Sequence, residues 1–186
     1  MMKQGCMIEK KITSVHAGDQ QLKRLYETAF PVEEQIPWQD LMRLVETMPL
    51  DFTAYYDHES LLGFTIVYPR KTFNWFWYFA VPDELRGKGI GQQILSRLID
   101  KYKSSTNILD MESPEQVCVN TEQRRRRHAF YLRNGFRDTG VGRSFGGVDY
   151  TIMIMGEGTF TMRDYDLIIN ELRSFWEAMP KEGEDS

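Results

Sequence analysis

The chain has 186 residues, 41% of them hydrophobic and 27% charged, a balance ordinary for one globular domain with a sizeable core. A net charge of −4 gives no broad electrostatic attraction to nucleic acid or to an anionic membrane. The two cysteines, Cys6 and Cys118, stand in no metal-binding spacing and suit a reducing cytoplasm. At the N-terminus, Met1 to Ser14 lacks the sustained apolar core of a signal peptide, and Met7 to Ser14 reads as a first strand. Asp19 then caps a helix carrying Leu22, Leu25, Tyr26 and Phe30 on one face, ended by Pro31. Glu33-Glu34-Gln35-Ile36-Pro37 is an acidic connector, and Trp38, Leu41, Val45 and Met48 recur at helical spacing in a second helix.

Asp51 to Tyr56 and Leu61 to Tyr68 read as a hairpin around Asp57-His58-Glu59-Ser60. Thr72 to Val81 is the next strand, apolar on both faces as a central buried strand is. Its Trp75–Val81 run is the longest apolar stretch and far too short to span a bilayer. Pro82 stops the pairing, since proline cannot donate to a ladder. A helix follows, striped by Ile90, Ile94, Leu98 and Tyr102. Asn107 to Glu112 is a short strand, Ser113 to Gln123 a polar loop, and Arg124 to Arg133 a helix ended by Asn134-Gly135. Phe136 to Gly142 and Val148 to Met155 are two more strands, with Gly146-Gly147 in the turn. Thr161-x-x-Asp164 opens a last helix whose wide apolar face must be buried on its own body or on a partner. The tail from Pro180 is polar and reads as frayed. No linker or repeat divides the chain, so residues 1–186 form a single domain. His16, His58 and His128 are isolated and read as surface or loop residues.

Chemistry concentrates in Val81-Pro82-Asp83-Glu84-Leu85-Arg86-Gly87-Lys88-Gly89-Ile90-Gly91. A strand, a glycine-rich turn and a helix start in that order present unpaired N–H groups and the positive end of a helix dipole, which together hold an anion. A Walker-type phosphate loop fails, because Ile90 stands where Gly-Lys-Ser/Thr requires lysine. A dinucleotide fingerprint counted from Gly87 puts Gln92 at its third glycine. An ordinary flexible turn is the bland alternative.

The remaining pattern, Gln/Arg-x-x-Gly-x-Gly/Ala, is met by Arg86, Gly89 and Gly91 and resembles the pyrophosphate loop of the GNAT acyltransferase superfamily. Ala129-Phe130-Tyr131-Leu132-Arg133-Asn134-Gly135-Phe136 resembles a second segment of that family, in the right order about 45 residues later. The resemblance covers roughly residues 7 to 155 and leaves the helix at about 160–179 as an extension. It implies an α+β fold in α/β/α layers: a mixed, mostly antiparallel sheet of six to seven strands flanked by helices. It also implies acetyl-coenzyme A as co-substrate, with no metal.

Acetyl transfer to an amine sets physical demands. An alkyl ammonium titrates near 10.4, so releasing its proton at neutral pH means covering about 4 kcal/mol. The thioester oxygen becomes negative and calls for an aimed N–H, and the leaving thiolate calls for a proton. By resemblance, Phe79, Ala80 and Val81 offer backbone groups to the pantetheine arm, and the Val81 N–H is the oxyanion donor. Arg86, Gly87, Lys88, Gly89, Ile90, Gly91 and Gln92 wrap the pyrophosphate, and Tyr131 is the general acid. Glu112, at a strand end in two-residue register with Asp110, is the candidate base, and Glu34 a further candidate for recognising a cationic acceptor. Many relatives carry Asn seven residues before the tyrosine. Here that position is Arg124, inside the run Arg124–Arg127, and Asn120 is the candidate to replace it. Four successive arginines spread around a helix, so one or two face phosphates or an acidic acceptor and the rest are solvated.

The implied function is a cytoplasmic N-acetyltransferase acting on a small-molecule primary amine. A non-catalytic acyl-coenzyme A binding module and a protein or peptide N-acetyltransferase stay open as alternatives. The aromatic strand and the last helix allow a homodimer. The partners implied exclude nucleic acid and membrane.

Overall fold

A computed structural model describes residues 7–179. Cys6 and the tail from Pro180, read above as frayed, lie outside the described residues. The elements run β1 (Ile8–Lys11), α1 (Gln20–Ala29), α2 (Trp38–Thr47), β2 (Asp51–Asp57), β3 (Ser60–Tyr68), β4 (Asn74–Ala80), α3 (Ile90–Tyr102), β5 (Asn107–Glu112), α4 (Thr121–Arg133), β6 (Arg137–Phe145), β7 (Val148–Met155) and α5 (Met162–Ala178). They build one seven-stranded sheet in the order β1-β2-β3-β4-β5-β7-β6. Every neighbouring pair is antiparallel except β4–β5.

Helices cover both faces, so the expected three-layer arrangement holds. On one side Leu22 and Tyr26 of α1, Trp38 and Leu41 of α2, and Tyr165 and Ile168 of α5 pack on Phe52, Phe64, Trp75, Tyr78 and Ile152. On the other, Leu95 and Leu98 of α3 and Tyr131 of α4 pack on Val67, Phe76, Leu109 and Met153. Met153 of β7 is fully enclosed on this second face, beneath the α3/α4 layer.

Three expectations need correction. The first strand is only Ile8–Lys11, because the chain leaves the sheet into a 3-10 turn at Ser14–His16. This edge strand is exposed throughout and lysine-rich, which protects it from pairing with another chain. Helix α4 begins at Thr121, not Arg124, since Thr121 and its neighbours close the first turn and Arg124 N–H already bonds to the Asn120 carbonyl. Strand β6 runs on to Phe145, carried past an irregularity between Asp138 and Gly142.

Two features of β4 shape the site. Its register with β3 shifts where Ile66 faces Tyr78 and Val67 faces Phe76, leaving Trp77 as an extra residue. Such a bulge bends a strand and resets which side chains share a face. Trp75, Trp77 and Tyr78 accordingly pack with the α1/α2/α5 layer, and Phe76 and Phe79 with the α3/α4 layer. Next, β4 pairs with β5 only at Asn74↔Asn107 and Trp75↔Ile108. Past those pairs the facing edges of Phe76–Ala80 and Leu109–Glu112 have no partner strand, and the sheet opens as a V.

Helix α5 lays its apolar face on its own chain. Tyr165, Ile168 and Met179 are buried, and Ile169, Leu172 and Phe175 pack beside them.

Candidate active site

The V leads into a cavity of about 1320 Å³ that reaches both faces of the sheet. Phe79, Ala80, Val81, Arg86, Gly87 and Gly91 line one part, Tyr131 and Glu112 another, and Glu34, Asp110, Tyr150 and Tyr165 a third. Elements remote in sequence thus bring most of the expected site residues to one space. Lys88, Gly89, Ile90, Gln92 and Asn120 are not on its wall.

The turn before α3 has the form of an anion cradle. Gly87 and Gly89 adopt left-handed φ values of 74° and 78°, which strain any other residue. A Cβ at either would meet no atom of the protein, so the side of the turn they present is open. The first N–H of α3 with a backbone acceptor outside the helix is that of Gln93, bonded to the Gly89 carbonyl. Those of Ile90, Gly91 and Gln92 have no acceptor among the described residues. Arg86 at the cavity edge is tied to Asp83 at 2.8 Å, and Arg126 and Arg133 of α4 also line the cavity. This arrangement fits a pyrophosphate. The Gln92 side chain goes elsewhere, pairing with Asn134 at 2.5 and 3.1 Å and so joining α3 to the end of α4.

Tyr131 is buried against Phe130 and Phe136, and its hydroxyl makes no hydrogen bond among the described residues. Burial raises its pKa, partly opposed by the nearby Arg127 charge, so the phenol keeps its proton.

Glu112 is on the cavity wall but committed. Arg124 donates to its Oε1 at 2.8 Å, and Arg127 lies 3.5 Å from its Oε2. Arg124, only 5% exposed, also reaches Gln116 Oε1 at 2.9 Å. Two of the four arginines therefore neutralise Glu112, while Arg125 and Arg126 are exposed, Arg126 paired with Glu122 at 3.2 Å. Asn120 accepts from the Cys118 thiol at 2.9 Å, in the loop before α4, away from the cavity.

Pairing across strands reveals groups that the sequence did not. Tyr150 stands opposite Glu112 on β5 and opposite Arg143 on β6. Arg143 packs over the rings of Tyr150 and Tyr165, 4.2 and 5.3 Å from their centroids, and donates to Asp110 at 2.9 Å. Asp110 also accepts from Trp75 Nε1 at 3.0 Å. The acidic connector folds as a 3-10 turn, Val32–Glu34, slung between two strands. Tyr78 of β4 donates to the Glu34 carbonyl at 2.6 Å, and Tyr150 of β7 to Glu34 Oε1 at 2.5 Å. Burial, with the Glu112 and Asp110 charges adding to it, raises the Glu34 pKa against the pull of the Tyr150 hydrogen bond. Nothing local marks Tyr150, Arg143 or Tyr165, whose meeting depends on strand pairing and on where α5 docks.

Among the described residues, no group of three or more His, Cys, Asp or Glu side chains is placed to hold a metal ion, and no helix is long and apolar enough to cross a membrane.

Residues 50–138 match the sequence model of an acetyltransferase (GNAT) domain. Curated proteins give no match by sequence. Among solved structures, a GNAT-family protein from Bacteroides thetaiotaomicron is 22% identical, with 90% of this chain and 96% of that one covered at a TM-score of 0.72. A GNAT acetyltransferase from Elizabethkingia anophelis with acetyl-CoA bound is 17% identical, covering 83% and 100% at 0.59. The ribosomal-protein-S18-alanine N-acetyltransferase from Escherichia coli is 16% identical, covering 84% and 100% at 0.59. Residues 50–138 are thus similar to a GNAT acetyltransferase domain, and these solved structures share the fold of the chain over most of its length.

Proposed function

We propose that the chain transfers an acetyl group from acetyl-coenzyme A to a primary amine of a small molecule. One observation carries this reading: the unpaired edges of β4 and β5 open into a cavity that reaches Arg86, Gly87 and Gly91 of the glycine turn, where α3 starts with N–H groups that have no backbone acceptor, and that has a buried tyrosine in its wall. The open turn from Arg86 to Gly91 would hold the pyrophosphate, and the free edge of β4 through Val81 the pantetheine arm. When bound, the coenzyme supplies the acetyl group as a thioester. The acceptor nitrogen forms the C–N bond as the C–S bond breaks.

Tyr131 gives the departing sulfur its proton, and the second proton that the nitrogen loses as the amide forms restores the phenol. Glu34 takes the proton of the acceptor ammonium. Glu112 is less suited to that task, because both of its oxygens already face guanidinium groups. A carboxylate of raised pKa is the better base near neutral pH, and Glu34 has that shift. Tyr165, Ile169 and Leu172 of α5 wall the cavity, which favours a small acceptor over an extended peptide.

Calorimetric titration with acetyl-coenzyme A tests the first half. We expect binding that Gly89→Glu abolishes and Gly89→Ala, which adds backbone strain without charge, only weakens. Release of free thiol in the presence of an amine panel tests the second. Tyr131→Phe should lower kcat by about 100-fold with coenzyme affinity intact. No binding to the wild-type chain overturns the reading. Binding with no transfer to any amine, unchanged by Tyr131→Phe, favours the non-catalytic module.

A further inference from the structure

Charge pairing on the acceptor wall is uneven. Asp110 is matched by Arg143 at 2.9 Å, and Glu112 by Arg124 at 2.8 Å and Arg127 at 3.5 Å. Glu34 has no cation within ion-pair distance among the described residues; its one side-chain partner is the neutral hydroxyl of Tyr150. A half-buried carboxylate without a counter-charge is costly to desolvate, and a cationic ligand would relieve that cost.

The surroundings of Glu34 are aromatic. The bulge at Trp77 sets Trp75 and Trp77 in a stack at 4.7 Å and carries Tyr78 onto the same layer, where it meets Phe30 edge-on at 4.9 Å. Tyr150, whose hydroxyl donates to Glu34, lines the same cavity. Ring faces attract a cation, and flat rings bury flat apolar ligands well. The guanidinium groups beside Glu34 already face carboxylates of the chain: Arg127 lies 3.5 Å from Glu112, and Arg143 donates to Asp110 at 2.9 Å. Arg143 also packs over the faces of Tyr150 and Tyr165, so a ligand carboxylate would have to draw on its buried, unpartnered Nε or displace Asp110.

Resting on the acetyltransferase reading, we propose that the acceptor is a monocationic amine with an aromatic body and no carboxylate, its ammonium seated on Glu34 among the rings of β4 and β7. The acidic connector and the bulged aromatic strand, which no loop motif explains, then serve one purpose, the selection of the acceptor.

The probes are phenethylamine, butylamine, phenylalanine and spermidine. Phenethylamine differs from phenylalanine by a carboxylate, from butylamine by a ring and from spermidine by additional charge. Two readouts are needed: kcat/KM from thiol release, and amine binding followed by tryptophan fluorescence with and without coenzyme A. We expect kcat/KM for phenethylamine at least tenfold above each of the other three. Its binding should quench the Trp75–Trp77 signal. Glu34→Gln should weaken that binding at least tenfold with acetyl-coenzyme A affinity unchanged, and a fold control by circular dichroism should match the wild type. Equal or better use of phenylalanine would mean that Arg143 leaves Asp110 for the ligand, and would overturn the proposal. A preference for spermidine or butylamine, or phenethylamine binding untouched by Glu34→Gln, would overturn it equally. The binding readout keeps the two readings apart: phenethylamine held on Glu34 without transfer counts against the reaction, and transfer to other amines counts against the acceptor class.

Discussion

Arg124 meets Glu112 with both side chains almost wholly enclosed, 5% and 8% exposed. Removing one partner of such a pair strands the other charge, at about 3 kcal/mol or more, whereas replacing both by apolar groups is near neutral. Arg127 stays within reach of Glu112 and softens the first loss. Arg124→Met should therefore lower stability by about 3 kcal/mol, or roughly 6–12 °C in Tm for a chain of this size. Adding Glu112→Leu should recover most of it. Paired thermal melts measure both, and a double variant no better than the single one would show that the pair does more than cancel charge. The shared face of Asp110 and Glu112 was legible in the sequence, because strand alternation is local. Which arginine of Arg124–Arg127 turns inward was not. Four identical residues carry no phase, and the choice depends on where α4 sits over the end of β5.

Among the elements, the β4–β5 junction has the closest link to function, since its pairing stops after two residues. The closed end of the V is held by side chains. Asn74 Nδ2 donates to Asn107 Oδ1 at 2.9 Å, and Asn107 Nδ2 bonds to the carbonyls of Tyr102 and Ser105 at 3.1 and 3.0 Å. Both asparagines are buried, at 3% and 0% exposure. Asn107→Ala leaves the Asn74 amide and two carbonyls without these partners, a loss of about 2–3 kcal/mol in a buried setting. The same change should weaken acetyl-coenzyme A binding severalfold, because it loosens the point from which the two edges diverge. Denaturant unfolding and calorimetry on one preparation check both effects. Unchanged affinity at reduced stability would separate the clamp from the site. Most elements were readable from periodicity and from punctuation such as Pro82 and Asn134-Gly135. The bulge at Trp77 was not, because a strand apolar on both faces looks the same with or without a slip of parity.

At the scale of the whole molecule, α5 joins the extension to the part of the cavity proposed for the acceptor. One side of the helix supplies Tyr165, Ile169 and Leu172 to the cavity. Elsewhere on it Glu171 takes a bidentate pair from Arg70, at 2.7 and 2.5 Å, and a hydrogen bond from Tyr68 at 2.7 Å. Arg70 in turn lies 4.4 Å over the Phe73 ring. Those contacts span about a hundred residues of sequence, so the wide apolar face of α5 was predictable and its docking place was not. The Arg70 hydrogen bonds, opposed by burial, hold the Glu171 carboxyl below its ordinary value. A depressed folded pKa means that the unfolded chain binds more protons. The tie thus adds stability above the ordinary glutamate range and loses it as pH falls through that range toward the lowered value. Glu171→Gln should cost about 1 kcal/mol at pH 7, since Glu171 is partly exposed and screened, or roughly 2–4 °C in Tm. The gap from the wild type should close on acidification below pH 4. Because α5 walls the acceptor side and not the turn at Arg86–Gly91, the KM for the amine should rise at pH 7 while acetyl-coenzyme A affinity holds. A variant in which coenzyme affinity falls as far as amine affinity would mean that α5 supports the whole sheet rather than the acceptor wall.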